Sequence, residues 1–190
     1  MTISTPKKRL ITAILTVSAA ALAVGLYWFQ PWKLFLDETV REGLPQAVST
    51  APADSSADSA GKNTSQDASA GLKTLATGTF ISHEHDTEGK VRILALSDGS
   101  RVLRLEGLDT SNGPDLRVLL TDAPVKEGVS GWRVFDDGAH ISLGKLKGNK
   151  GDQNYRLPAD VDLAKYSSVS IWCDRFDVSF GAAELAKAAA

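Results

Sequence analysis

The N-terminal part of the chain contains one long apolar run. Residues 10–29 carry no charged side chain, and twenty residues of α-helix extend about 30 Å, the thickness of a bilayer hydrocarbon core. Residues 7–9 are basic and aromatic residues close the run, a pattern typical of a span whose basic end is cytoplasmic. The pattern predicts one transmembrane helix over 10–29, with residues 1–9 in the cytoplasm and the remainder outside the plasma membrane.

A cleaved signal peptide is the alternative interpretation of this run. Small residues between positions 19 and 23 resemble cleavage sites. The apolar run nevertheless continues past them to a full span, which favours an uncleaved anchor.

Two segments follow the span before the folded domain begins. In residues 30–44 apolar side chains recur at near-helical spacing, which predicts an amphipathic helix on the membrane surface, with a continuation of the transmembrane helix as the alternative. Residues 45–72 are rich in Ala, Ser, Thr, Asp and Gly, a composition that buries too little apolar surface to offset the entropy of ordering. We expect this second segment to be a disordered tether with a reach of about 30 Å.

Residues 73–190 alternate short β-rich runs with turn residues, over a length that suits one compact domain. Eight runs combine β-branched, aromatic or Leu residues. They cover residues 77–82, 90–97, 101–106, 116–121, 139–143, 154–157, 168–174 and 176–182. Glu88-Gly89 and Asp98-Gly99 are expected to form hairpin turns, because Gly supplies the positive φ that tight turns need. The pattern predicts an all-β fold, an antiparallel β-sandwich preceded by the transmembrane helix and the tether.

The charge balance argues against one class of partner. The chain has 21 Lys and Arg against 23 Asp and Glu, a net charge of −2, and the two signs are interspersed. Proteins that bind nucleic acid normally present a basic face. No nucleic-acid partner is therefore predicted.

Cys173 is the only cysteine of the chain, so it has no partner for an internal disulfide. In a domain outside the cell, such a residue indicates a free thiol, a disulfide to a second chain, or a buried packing residue. On a strand, a period of two places it on one face with Val169 and Ile171, and this face is expected to turn towards the core.

The charges that flank Cys173 bear on its reactivity. The thiolate is the reactive form, and a nearby positive charge lowers its pKa. Arg175 is the nearest cation in sequence, but Asp174 and Asp177 flank it, and carboxylates raise a thiol pKa. We expect a partly buried, slowly reactive thiol. No nucleophile motif surrounds it, which argues against a cysteine hydrolase.

Two groups of polar residues resemble metal sites only superficially. His83 and His85 lie on one side of a strand, and His140 could complete a three-ligand site. We interpret the first two as the polar end of a strand entering a solvated loop, so no metal is predicted. The oxygen-rich loops around Asn112 and Asn149 could suit calcium, but we interpret them as turn formers.

Four motifs, in this order, carry a resemblance to a known family. They are Thr110-Ser-Asn-Gly-Pro-Asp-Leu116, Leu146-Lys-Gly-Asn-Lys-Gly-Asp-Gln-Asn-Tyr155, Ser170-Ile-Trp-Cys173 and Val178-Ser-Phe-Gly-Ala-Ala183. With Gly78-Thr79-Phe80 and Leu103-Arg-Leu-Glu106, they make residues 77–185 resemble the DM-thirteen domain. The resemblance implies an extracellular β-sandwich module, found beside redox modules in larger proteins, with a proposed electron-transfer role resting on the cysteine that corresponds to Cys173.

These observations lead to one functional hypothesis and two alternatives. The hypothesis is a membrane-anchored, extracytoplasmic redox or electron-transfer domain that acts through Cys173 with a separate redox partner protein; the cofactor is unknown. The first alternative is a non-catalytic cell-surface binding or structural module, in which Cys173 only packs and the loops around Asn112 and Asn149 contact a partner. The second is a disulfide-linked dimer through Cys173. A redox carrier or binding module fits better than a substrate-turning enzyme.

Overall fold

The computed structural model describes residues 5–46 and 72–188. It contains one α-helix, α1 (Thr5–Phe29), a 3-10 helix over Pro31–Phe35, and ten β-strands. The strands are β1 (Thr39–Arg41), β2 (Lys73–Ser82), β3 (Thr87–Ala95), β4 (Arg101–Thr110), β5 (Leu116–Thr121), β6 (His140–Lys145), β7 (Lys150–Arg156), β8 (Ser168–Cys173), β9 (Val178–Glu184) and β10 (Ala186–Lys187). A second, shorter 3-10 helix covers Val129–Gly131.

Helix α1 has the length and composition of a membrane span or a signal sequence. The segment Lys7–Phe29 has a mean hydropathy of 2.1, and none of it is buried against the rest of the protein. The helix ends at Phe29 because Gln30 adopts a left-handed backbone conformation, with φ of 45°, and Pro31 then begins the 3-10 helix. An apolar helix that the protein leaves uncovered is suited to lipid rather than water.

The strands form one continuous curled sheet. Its order is β1-β7-β4-β3-β2-β9-β8-β5-β6, with β10 paired to β2. All neighbours are antiparallel except β1 and β7. The all-β prediction with one preceding helix is therefore confirmed, whereas the expected two-sheet sandwich is replaced by a single sheet that curls around its core.

Strand β2 explains why the sheet is continuous. Its first part pairs with β3 and its last residues, from Phe80 onwards, pair with β9. Gly78 lies near this change of partner, where a Cβ atom would collide with the carbonyl oxygen of Glu184. Because β2 pairs with β3 at one end and with β9 at the other, it joins the two groups of strands that would form separate sheets in a sandwich.

The core lies inside the curl, with a smaller apolar cluster on the outer side. The main cluster draws side chains from most strands, including Leu103, Val118 and Ile171. The smaller cluster is built around Phe135 and Trp172. Strand β8 is consequently buried on both faces along its whole length.

All eight predicted strands are present, and β5 has the predicted bounds. The Asp98-Gly99 turn is confirmed, since Gly99 has φ of 80° and lies between the β3 and β4 strands. The Glu88-Gly89 turn was wrong. These two residues lie within β3, where Gly89 uses a φ of 126° to form a bulge opposite β4.

The expected amphipathic helix over residues 30–44 was also wrong. After the short 3-10 helix the chain is extended, and Thr39–Arg41 pair in parallel with Lys150 to Asp152 of β7. The apolar side chains of Trp32 and Phe35 remain exposed, the latter by 86%. Apolar residues at helical spacing over a short window do not exclude a strand. A parallel edge strand forms through backbone hydrogen bonds to a distant partner, which the spacing of side chains does not reveal.

The pairing of β1 also changes the role of the expected tether. Most of residues 45–72 lie outside the described residues, but β1 and β2 on either side belong to one sheet. The segment therefore connects two strands of the same sheet. Only residues 30–38 separate α1 from β1, so the sheet begins close to the end of the helix.

Candidate functional site

Cys173 is the last residue of β8 and lies inside the core. It pairs with Leu116 of β5 and Val178 of β9, and its exposed fraction is 0%. Its side chain belongs to the same core cluster as Val169 and Ile171. The face predicted for this residue is thus confirmed, and the thiol is free and fully buried.

The main chain around Cys173 acts on its thiol. Phe176, Arg175 and Asp115 lower the pKa of the thiol through their backbones, and the N–H of Phe176 donates to the Cys173 carbonyl oxygen at 3.2 Å. Phe176 and Arg175 belong to the turn over residues 174–177, which folds back after β8 and closes where Asp177 adopts a φ of 50°. Main-chain dipoles near a sulfur favour its thiolate form.

Burial opposes this stabilisation. Burial raises the pKa of the Cys173 thiol, the main chain of Phe176, Arg175 and Asp115 lowers it, and Glu84 adds to the increase. The net effect is a pKa above that of an ordinary cysteine, because the charged form loses solvation in the core. The thiol is therefore protonated at neutral pH. The expected partial burial was wrong, because the side chain is fully buried, and the slow reaction stays a prediction.

The guanidinium of Arg175 faces away from the sulfur. Nη1 donates to the carbonyl oxygen of Trp28, with a weaker bond to that of Tyr27 at 3.4 Å. Next to it, the ring of Phe176 stacks on Phe29, with centroids 5.7 Å apart. The C-terminal end of α1 thus covers the turn that covers the thiol. The charge of the cation nearest to Cys173 in sequence is therefore directed at helix α1, and it is the main chain of Arg175 that acts on the pKa of the thiol.

The carboxylates near Cys173 are paired with a cation. Arg117 Nε lies 3.1 Å from Asp174 Oδ2, and Arg117 Nη2 lies 3.3 Å from Asp115 Oδ2. These ion pairs tie β5 to the turn after β8. They also reduce the repulsion that an anionic sulfur would meet from the two acids.

The three histidines named from the sequence are not brought together. His83 is buried, His85 lies against the ring of Phe180 with centroids 3.9 Å apart, and His140 is exposed. Among residues 5–46 and 72–188, no group of three or more His, Cys, Asp or Glu side chains could hold a metal ion.

His83 is part of a buried polar chain that sequence reasoning missed. Its Nδ1 lies 2.8 Å from Ser179 Oγ, to which Ser170 Oγ donates at 2.9 Å, and its Nε2 lies 3.1 Å from the carbonyl oxygen of Lys126. A carbonyl can only accept, so Nε2 carries the hydrogen and Nδ1 accepts from Ser179. The expected solvated position was wrong for His83. No local signal marks it, because its partners come from distant strands and loops.

Asn112 and Asn149 contact the chain itself. Asn112 Nδ2 donates to the carbonyl oxygen of Leu36 at 3.0 Å. Asn149 is buried, donates to Asp37 Oδ1 and to the Thr110 carbonyl, and accepts from the N–H of Glu38. The side chains interpreted as turn formers therefore hold the segment before β1.

A family model described as "Electron transfer DM13" matches residues 79–185, more than half of the 190 residues. The chain belongs to this family. None of the curated proteins matches the chain, and no solved structure matches it. The DM13 assignment confirms the resemblance drawn from the four motifs and supports a general redox or electron-transfer role.

The four DM13 motifs fall in two places in the structure. Ser170–Cys173 and Val178–Ala183 belong to the paired strands β8 and β9, at the thiol. Leu146–Tyr155 and Thr110–Leu116 include the residues that hold the segment before β1. The four motifs therefore lie at two sites, the buried thiol and the edge of β7.

Proposed function

We propose that the protein is a membrane-anchored, extracytoplasmic redox domain in which the Cys173 thiol is the reacting group. The observation that carries this proposal is the position of Cys173 in a DM13 domain, at the end of β8, where the main chain of the following turn acts to lower the pKa of its thiol. A nearby group that favours the thiolate is what a reacting cysteine requires.

The membrane placement is supported by the N-terminal segment. Helix α1 is apolar and uncovered, and basic residues precede it, which favours an N-terminus in the cytoplasm and a domain beyond the plasma membrane. Trp32 and Phe35 are exposed just after the helix, where an aromatic side chain suits the interface. The turn over Cys173 touches the end of α1, so in this arrangement the thiol lies close to the membrane surface.

A thiol without a second cysteine supports a limited cycle. A peroxide ROOH would convert Sγ–H into Sγ–OH and release ROH: the S–O bond forms, the O–O bond breaks, and sulfur loses two electrons. A partner protein with two thiols would complete the cycle. Its first thiol displaces water to form a mixed disulfide, and its second thiol attacks that disulfide, which frees Cys173 as a thiol and leaves the partner oxidised. Because Cys173 is buried, each step requires opening of the turn over residues 174–177.

The complete burial of Cys173 favours a second candidate function. Its side chain packs in the core with Val169 and Ile171, and its pKa is raised. A non-catalytic cell-surface module would need nothing further from this residue. A disulfide-linked dimer through Cys173 stays a separate prediction, which requires exposure of the sulfur.

The test is peroxide-dependent trapping of sulfenic acid at Cys173 with a dimedone probe. The full chain in lipid nanodiscs is treated with hydrogen peroxide, then with probe, and parallel samples are unfolded or carry Cys173→Ser. We expect a slow adduct in the folded chain, abolished by Cys173→Ser and prevented when a dithiol is added before the probe. An adduct that forms only on unfolding would support the packing module instead.

A further inference from the structure

An extended segment lies along the edge of β7. It comes from the part of the chain that precedes the long connection between β1 and β2. Thr39–Arg41 pair in parallel with β7. In addition, the N–H of Lys150 donates to the carbonyl oxygen of Glu38 at 3.2 Å, and the N–H of Glu42 donates to the carbonyl oxygen of Asp152 at 3.0 Å. Residues 37–43 are called the docking segment below. They lie outside the range 79–185 that matches the family, whereas β7 lies within it.

The β7 edge is shaped for close approach of another backbone. A Cβ atom at Gly148 would collide with the carbonyl oxygen of Glu38, and one at Gly151 with that of Val40. Gly151 also has a φ of 96°, which side chains disfavour. Both glycines belong to the Leu146–Tyr155 motif, so this motif provides the space that the docking segment occupies.

Polar groups then recognise the segment. Nη1 of the buried Arg104 donates to the carbonyl oxygens of Glu42 and Gly43, both at 3.0 Å. Lys147 Nζ lies 2.7 Å from Glu42 Oε1, and the N–H of Asn154 donates to Glu42 Oε2 at 2.6 Å. The site therefore selects an extended backbone with a carboxylate at position 42.

A second ion pair extends this recognition to the start of the segment. Lys150 Nζ lies 3.3 Å from Asp37 Oδ2, and Asn149 Nδ2 donates to Asp37 Oδ1 at 2.8 Å. The acceptor is basic at both ends and the docking segment is acidic at both ends. Opposite charges at two positions fix the register of a parallel pair that is only three residues long.

No side chain of the docking segment belongs to the buried hydrophobic core, which among the described residues contains no side chain from residues 5–46. Attachment depends on backbone hydrogen bonds, on hydrogen bonds from the buried side chains of Arg104 and Asn149, and on partly exposed ion pairs that weaken with salt. Release of the segment would leave the core intact.

The connection between β1 and β2 leaves room for exchange. Residues 42–72 separate the two strands along the chain, and a connection of this many residues can span at most about 100 Å. We propose that the β7 edge is an exchangeable strand-acceptor site, and that its other occupant is residues 37–43 of a second copy of this chain. The docking segment is favoured in cis by its high effective concentration, and two copies side by side in a membrane would offer each other the same segment.

Variants with reversed charges distinguish docking of the segment within its own chain from docking onto a second chain. One variant carries Asp37→Lys and Glu42→Lys, and the other carries Lys147→Glu and Lys150→Glu. In each variant alone, like charges face each other across its own interface. In the mixture, the docking segment of either variant matches the acceptor of the other. All four side chains are at least one-third exposed. Lys150 Nζ also lies 3.2 Å from Asp109 Oδ1, so Lys150→Glu adds a repulsion that is independent of the docking segment, and the folding of each variant is checked.

The measurement is energy transfer between donor and acceptor dyes on C-terminal tags, with the full chains in lipid vesicles. We expect at least a fivefold higher transfer signal for the mixed variants than for either variant alone, and loss of that increase at high salt. A chain with all four changes is the control, since its restored cis pairing predicts a signal equal to that of wild type.

Equal transfer in the mixture and in the separate variants, with all chains folded by circular dichroism, would overturn the proposal. If a double variant unfolds, the single changes Glu42→Lys and Lys147→Glu provide the same comparison across the 2.7 Å ion pair. The transfer must persist in a Cys173→Ser background, because the exchange is independent of a disulfide.

Discussion

The guanidinium of Arg175 lies over the indole of Trp28, with its carbon 5.3 Å from the ring centroid. The main chain of the same residue acts to lower the pKa of the Cys173 thiol. Arg175 thus links the end of the apolar helix to the turn that follows the buried sulfur. Movement of the helix end relative to the domain would reach the thiol through this turn.

Arg175→Ala is therefore expected to speed alkylation of Cys173 in the folded chain. The change removes a cation–π contact and hydrogen bonds that together contribute about 1–2 kcal/mol, which corresponds to about a 5–30-fold rise in the population of the open turn. The alkylation rate is measured by mass spectrometry on the full chain in nanodiscs. Arg156→Ala, at an exposed position on β7, is the matched control. Equal rates in wild type and Arg175→Ala would show that the helix end does not restrain the turn.

The raised pKa of Cys173 predicts a loss of stability at alkaline pH. The unfolded chain loses the thiol proton near the free-cysteine value of about 8.5, whereas the folded chain holds it to a higher pH. Folding stability from this group is therefore fully present below about pH 8.5 and falls as the pH rises towards the folded pKa.

Chemical denaturation of wild type and Cys173→Ala from pH 7 to pH 10 measures this effect. The difference in unfolding free energy between the two chains should shrink as the pH rises. Tyr155, whose pKa burial raises to about 12, is present in both chains and does not enter the difference. A constant difference would contradict a buried, protonated thiol.

His83 predicts the opposite pH response. Burial lowers its pKa, although the Lys126 carbonyl partly opposes this. The unfolded chain gains the proton first, near pH 6.5, so the stability contributed by neutral His83 falls as the pH drops below about 6.5 towards the folded pKa. In a His83→Gln variant this dependence should disappear. Urea unfolding at pH 7.5 and pH 5.5 provides the comparison, and an unchanged pH dependence would contradict the assignment.

Asn149→Ala is expected to loosen the docking segment more than Asn112→Ala. Asn149 is buried and makes three hydrogen bonds, to Asp37, Glu38 and Thr110, and removing buried hydrogen-bond partners costs about 1–3 kcal/mol. Asn112, which is half-buried, contributes one bond, to the carbonyl oxygen of Leu36 just before the docking segment. Hydrogen exchange of the Glu42 amide, which bonds to Asp152, measures release of the segment. Similar exchange in both variants would remove Asn149 from this role.

The local alternation of apolar and polar residues was sufficient to predict the central strands. Leu116–Thr121 and the core face of Cys173 follow from alternation along single strands, which burial then enforces. The pairing of Thr39 with Lys150 depends on residues more than one hundred positions apart, and the apolar spacing around it also fits a helix. Gly89 shows a further limit, because a bulge and a turn both use positive φ.

The candidate sites show the same division between local and distant information. Cys173 and Asn149 could be singled out from the sequence, because both lie in the four motifs. What surrounds them could not be predicted from pattern. Arg175 faces a helix that begins 170 positions earlier in the chain, and His83 is buried by contacts with Ser179 and Lys126. Such contacts exist only once the sheet has curled.

The burial of Cys173 bears directly on a disulfide-linked dimer. A disulfide between two chains requires that both sulfur atoms reach the surface, but the exposed fraction of Cys173 is 0% and the turn over 174–177 encloses it. We expect folded wild type to run as a single band in non-reducing electrophoresis after mild oxidation, and a doubled band to appear in Arg175→Ala or after partial unfolding. Cys173→Ser is the control for both. A doubled band in folded wild type that Cys173→Ser abolishes would establish the covalent dimer and would mean that the turn opens readily without any change at Arg175.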